Sequence, residues 1–356
     1  MSAAGHPEEN RSRVAAALTD AEFVRLVGTA DGDALAAAGL VARGLDAAGV
    51  PYQASLAAVP DSPATDADCT VAIGHPAGDV VVVDDSLAVE AANIVTEFAP
   101  EAVDPELALA GSICAGVEPS GRPLERADLD RRPGVAIPIG DPIEGLAGTT
   151  LLHASFSGDG RAVEDVLSTL DAPDDRELAS LVALSAIEGA PPRAAEAVER
   201  ALRPYVTDRF ETLGGLADVL DALARTQPGT GIALALGHEV ETAAIDAWRA
   251  HGQRAHTALR EADTGRYDGV YVVRIDDASP ALLGTVARLC FWYRSPEPIA
   301  LAVTDGGAAA VGAGVDAPFR AAETALGGRV LVRDTHGVAT FDGTISGFTA
   351  AFREAL

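Results

Sequence analysis

An apolar strand that runs straight into an acidic turn and out along an alanine-rich helix is the feature that most restricts this fold. FVRLVG, TADGD and ALAAAGLVARGL follow one another between Phe23 and Leu45, and a second apolar run, DVVVVDDS at Asp79 to Ser86, also ends in acid. Short apolar strands alternating with helices belong to a mostly parallel sheet covered on both faces. Ligands of such sheets gather beyond the carboxyl ends of the strands, so Asp31, Asp33, Asp84 and Asp85 are expected to converge on one site.

The pattern continues along the chain. A polar lead and a first helix occupy residues 1 to about 20, CTVAIG at Cys69 to Gly74 is a further strand, and helices follow at Leu87 to Phe98 and Pro105 to Cys114, the latter capped by Asp104. From Glu118 to Pro142 the texture turns rich in Pro, Gly and charge, and residues 161 to 226 read as helices. Alternation then resumes with a helix from about Thr242 to Ala262 and the strands GVYVVRID, PIALAVT, RVLVR and GVATFD. The expected division is an α/β domain at 1–117, a connecting helical region at 118–230 and a smaller α/β domain at 231–356.

Charge narrows the partners. The 356 residues carry 53 acidic against 26 basic side chains, a net charge of −27, and every basic residue is Arg. Such a surface is expected to be adapted to concentrated salt, where a Debye length of about 3 Å at 1 M tames self-repulsion. Broad electrostatic binding to nucleic acid is disfavoured, since phosphate contacts need local Lys or Arg. Arg203, Arg209, Arg225, Arg249, Arg254, Arg260 and Arg266 read as solvated helix faces. Cys69, Cys114 and Cys290 stand far apart without a CxxC pair, so they read as small buried hydrophobes rather than a zinc site or disulfide framework. No run approaches a signal peptide or a membrane span, and a cytoplasmic protein with no membrane partner is expected.

In order and spacing these segments resemble the DHH phosphoesterase superfamily, and within it the archaeal RecJ-like proteins. VGTADGDALAAAGLVARGL resembles the first motif, VVVVDDSLAVEAANIV falls where the Asp-His-His signature stands, and LALAGSICAGVEPSG is similar to the motif that carries a later ligand Asp. The resemblance implies a two-lobed α/β fold with a mostly parallel N-terminal sheet, a helical connection and a C-terminal DHH-associated α/β domain. Active relatives hold two manganese or magnesium ions that activate water against a phosphodiester, chemistry that clamps metals about 3.5–4 Å apart.

This chain departs from the implied ligand set. Val27 and Gly28 stand where active relatives supply His, Asp85 and Ser86 replace the two signature histidines, and Ala115 takes the place of the later Asp. Asp31, Asp33, Asp84 and Asp85 remain as metal candidates, with His75 close by. Gly306 and Gly307 remain from a substrate-binding Gly-Gly-Gly-His motif that has lost its His. No catalytic residue is assigned and no cofactor is expected; an active protein would use manganese or magnesium. The resemblance implies a catalytically degenerate replisome scaffold that meets GINS and MCM, and possible contact with single-stranded DNA. The alternative is a metal-dependent single-stranded DNA exonuclease or small phosphoesterase.

Other candidates read as structural. His251 and His256, five apart on a helix, do not stack as a metal pair and read as exposed. His153, Ser155 and Ser157 lack a nucleophile elbow. Phe291, Trp292, Tyr293 and Arg294, the one aromatic cluster visible in the sequence, read as a core plug in preference to a base-stacking platform.

Overall fold

The computed structural model describes residues 7–61, 67–170, 174–276 and 278–356; the polar lead at 1–6 lies outside them. In chain order the elements are α1 (Pro7–Asp20), β1 (Val24–Thr29), α2 (Gly32–Ala48), β2 (Tyr52–Ala57), β3 (Cys69–Ile73), β4 (Val80–Val82), α3 (Leu87–Thr96), α4 (Pro105–Cys114) and α5 (Gly121–Ala127). There follow α6 (Pro142–Gly148), α7 (Gly160–Leu167), α8 (Asp175–Ile187), α9 (Ala194–Ala201), α10 (Leu213–Thr226), α11 (Pro228–Ala235) and α12 (Glu241–Glu261). The chain closes with β5 (Asp263–Tyr267), β6 (Val270–Arg274), α13 (Leu283–Tyr293), β7 (Ile299–Thr304), β8 (Gly307–Gly312), α14 (Asp316–Leu326), β9 (Arg329–Arg333), β10 (His336–Thr340) and α15 (Ile345–Glu354).

Contacts divide the chain into two compact units, Met1–Leu129 with Val219–Ala247, and Asp130–Asp218 with Trp248–Leu356. Where the sequence suggested changes at 117/118 and 230/231, the chain changes unit at 129/130, within α10 and within α12. A helix that continues unbroken through such a point leaves no Pro or Gly signal to read.

The first unit holds a parallel sheet of order β2-β1-β3-β4. Its centre is α2, which packs against β1, β2, α3, α4 and α11 and is buried over most of its length. Ala and Gly at its contacts explain how one helix meets so many neighbours, because small side chains allow close approach. β2 was missed in the sequence: YQASLA alternates half-buried and exposed residues, so it lacks the apolar run of its neighbours.

The second unit holds a mixed sheet of order β5-β6-β7-β8-β10-β9. Period-two alternation splits its strands between two cores. Ile299, Leu301 and Val303 of β7 enter one with Phe319, Phe348 and Phe352, while Ala300 and Ala302 enter the other with α13. Phe319, Phe341, Phe348 and Phe352 form a packed ring cluster, with centroids 4.6 to 6.1 Å apart along successive contacts. They come from α14, the residue after β10 and α15 and are not adjacent in the chain, which is why only the contiguous cluster at 291–294 was legible.

Candidate functional site

The acidic turn follows β1 directly. Asp31 caps α2: its Oδ1 accepts from Ala34 N at 2.9 Å, and its Oδ2 accepts from Thr29 Oγ1 at 2.6 Å. Asp33 is buried, at 1% exposure. Its Oδ2 accepts from Leu87 N at 2.8 Å, and its Oδ1 accepts from Ala88 N at 2.9 Å and Ser86 Oγ at 3.2 Å. Those donors are the first turn of α3, whose orphan amides and positive dipole end favour a carboxylate. Ser86 in turn caps the same helix by accepting from Val89 N at 3.3 Å. Ser86 therefore serves as a helix cap.

Asp84 and Asp85 behave differently. Both are exposed beyond β4, and Asp84 Oδ1 accepts from the backbone of Asp85 at 2.7 Å. The four aspartates thus divide into two buried or half-buried helix partners and two surface residues. Among the described residues no group of three or more His, Cys, Asp or Glu side chains is placed to hold a metal ion.

His75 is buried and fully engaged. Its Nε2 donates to Val27 O at 2.9 Å and its Nδ1 accepts from Ala77 N at 3.4 Å. Burial pushes its pKa below the ordinary value, against the hydrogen bond to Val27. The ring therefore spends both nitrogens on the backbone, one of them on Val27.

Two residues that the sequence reading did not assign to the turn complete it. Asp221 on α10 accepts from Gly32 N at 3.2 Å through Oδ1, and Arg225 one helical turn later donates to both of its oxygens, at 2.9 and 3.2 Å. The pair is mostly buried, with side chains 17% and 12% exposed. Arg225 is thus corrected from a solvated helix face to an inward cation. The i, i+4 spacing was the available signal, but not its orientation. A Cβ on Gly32 would run into Cys114 Sγ and the Asp221 backbone, so only glycine lets α10 and the end of α4 come this close.

Gly306 and Gly307 lie in the second unit. Gly306, at φ +74°, turns the hairpin between β7 and β8, and Gly307 opens β8, paired to Thr304 and Thr340. The Gly- and Ala-rich stretch is a buried strand, GAAAVG.

The second unit also gathers a buried polar cluster around residues 149–157, a segment without regular structure in which four carbonyls are met by side chains. His256 Nε2 donates to Thr149 O at 2.8 Å, Arg288 to Thr150 O at 3.0 Å, Tyr293 to Leu151 O at 2.9 Å and Arg260 to Ser157 O at 2.8 Å. Since His256 Nε2 faces a carbonyl it carries the proton, so its Nδ1 accepts from His153 Nδ1 at 3.1 Å. Burial pushes the pKa of His153 down to about 3 and that of His256 down to about 4, with neighbouring arginines adding to both shifts. His251 and His256, expected on an exposed face, are 1% and 0% exposed because this segment and α13 cover α12. Asp218, also 1% exposed, accepts from Thr149 Oγ1, Thr150 N, Thr150 Oγ1 and Trp248 Nε1. Burial pushes its carboxyl up against the pull of these donors and of Arg288.

The aromatic cluster is a covered one. Arg193 lies 4.4 Å from the centroid of Phe291 and Arg200 lies 4.6 Å from that of Trp292, while Tyr293 is buried. The cysteines are free, with Cys69 and Cys290 buried and Cys114 half-buried. No described helix is long and apolar enough to cross a membrane.

Residues 262–354 match the family model described as "Uncharacterized protein rrnAC1427, C-terminal domain". Over its whole length the chain is 48% identical to the uncharacterized protein rrnAC1427 of Haloarcula marismortui, covering 100% of both. Among solved structures it is similar to CDC45 from Entamoeba histolytica, with a TM-score of 0.56 at 10% identity over 98% of this chain and 99% of that one. It is also similar to RecJ in complex with Mn2+ from Thermus thermophilus, with a TM-score of 0.52 at 17% identity. That match covers 98% of this chain and 54% of RecJ, so the chain spans about half the length of that protein.

Proposed function

This chain belongs to the family of the Haloarcula protein rrnAC1427 and has the RecJ-like fold of the DHH superfamily, and from that premise we propose that it is a catalytically degenerate scaffold of DNA replication or repair. The observation that carries the proposal is the state of the donor set. Both oxygens of Asp33 are bound by the first turn of α3, both nitrogens of His75 by backbone, and the signature histidines are Asp85 and Ser86. A pair of divalent ions needs several vacant nitrogen and oxygen donors facing one another, and these residues do not fit it.

The likeness to CDC45 supports the scaffold reading over most of both chains. The partners that the family resemblance implies are GINS and MCM, met by protein contact in a cytoplasm of concentrated salt. Affinity capture of the chain from its native host in such salt tests the partners: recovery of GINS or MCM is expected, and their absence from repeated captures counts against the proposal. The likeness to a Mn2+ complex of RecJ favours the second reading, a metal-dependent single-strand exonuclease. A nuclease assay in concentrated KCl with MnCl2 decides between them: no cleavage above background is expected. Cleavage lost in an Asp31→Ala, Asp84→Ala double variant would establish the exonuclease.

A further inference from the structure

We propose that Arg225, held by Asp221, is a built-in cation that serves the acidic turn of the first unit in place of a divalent ion, so that this unit keeps its fold without divalent metal. The inference rests on the scaffold reading and concerns what replaced the ions. Asp221 receives the turn through Gly32 N at 3.2 Å, and Arg225 grips both Asp221 oxygens. A bidentate arginine–carboxylate pair fixes geometry as well as charge.

The charges around Arg225 point the same way. Asp221, Asp31 and Cys114 all favour its charged form, against the cost of burial. A guanidinium stays charged in proteins and offers no lone pair to a metal, so the cation that Asp221 holds against the turn adds positive charge there and repels a divalent ion. Packing holds the pair in place: the Cβ that Gly32 lacks would meet Cys114 Sγ and the Asp221 backbone. The three carboxylates near the turn then each have an assigned counterpart. Asp31 caps α2, Asp33 meets α3, and Asp221 meets Arg225.

The test uses the full chain in concentrated KCl, melted with MnCl2 or with EDTA, together with the electron paramagnetic resonance signal of free Mn2+. The natural protein is expected to melt at the same temperature in both and to leave the Mn2+ signal undiminished. Arg225→Gln, which strands Asp221, is expected to lower Tm by about 10 °C and to recover part of that loss with MnCl2. Arg225→Lys keeps the charge and is expected to fall between the two while ignoring Mn2+; it decides the matter if Arg225→Gln does not fold. Stoichiometric loss of the free Mn2+ signal with the natural protein overturns the proposal, as does an Arg225→Gln chain that melts like the natural one or an Arg225→Lys chain that needs Mn2+. An active nuclease whose melting ignores Mn2+ would sink the scaffold reading alone. An inactive protein stabilised by Mn2+ would sink this inference alone.

Discussion

In the first unit Asp33 and Asp221 are buried against positive partners, a helix N-terminus for one and Arg225 for the other, whereas in the second unit His153 and His256 are buried by giving up their charge. Both solutions avoid an isolated buried ion, which is prohibitively costly. They differ in what disturbs them. Compensated carboxylates depend on keeping their donors, and neutral histidines depend on pH. The turn at Asp31–Asp33 relies on the first solution, and the segment 149–157 combines both, the histidine pair at Thr149 O beside the compensated carboxylate of Asp218.

The largest expected effect removes both. Stepwise desalting exposes a chain of charge −27 to its own repulsion, and loss of the folded circular dichroism spectrum is expected as KCl is withdrawn; an unchanged spectrum breaks the salt-adaptation reading. Next comes Asp218→Ala, which leaves four buried donors around one vacancy. A cost of about 3–5 kcal/mol in guanidinium unfolding is expected. A cost below that of Asp33→Ala would reverse the ranking of the two units.

pH sharpens the contrast. Both histidines have folded pKa values below the ordinary 6.5, so the unfolded chain binds more protons as pH falls below that value. Stability is therefore retained near neutrality and lost between about pH 6.5 and about pH 3, by up to about 3 kcal/mol per pH unit where both histidines contribute. Denaturant melts at about pH 7, 6 and 5 read this slope, and His256→Gln is expected to flatten it.

At the start of α3 in the first unit the effects are smaller. Asp33→Ala strips the first turn of α3 of a buried acceptor and is expected to cost about 2–3 kcal/mol in the same denaturation assay. Ser86→Ala removes one cap and one donor to Asp33, and a loss of about 0.5–2 kcal/mol is expected. A Ser86→Ala cost as large as that of Asp33→Ala would mean that the serine, not the carboxylate, organises the end of α3.

Much of this architecture was legible in residue order. The strand at Val24, the acidic turn, the buried α2 and the capped α4 follow from apolar runs bounded by Asp and Pro. The site was legible only as a set of letters. That Val27, Gly28, Asp85 and Ser86 are not histidines is a fact of sequence; that Asp33 faces the amides of Leu87 and Ala88 is not. The expectation that Asp84 and Asp85 join Asp31 and Asp33 assumed that strand ends in one sheet share one solvent-facing purpose. The start of α3 claimed Asp33 for itself.

By itself the sequence determined the alternation of strands and helices, the acidic and lysine-free composition, and the absence of histidine from Val27, Gly28, Asp85 and Ser86, because periodicity, composition and residue identity are local properties. Tertiary structure alone decided which charged groups are buried and with whom: that Arg225 turns inward beside the acidic turn, that His153 and His256 meet across 103 positions of chain, and that four scattered phenylalanines share one core. The free energy of a charge depends on its surroundings, and those surroundings are assembled from distant segments that no local pattern encodes.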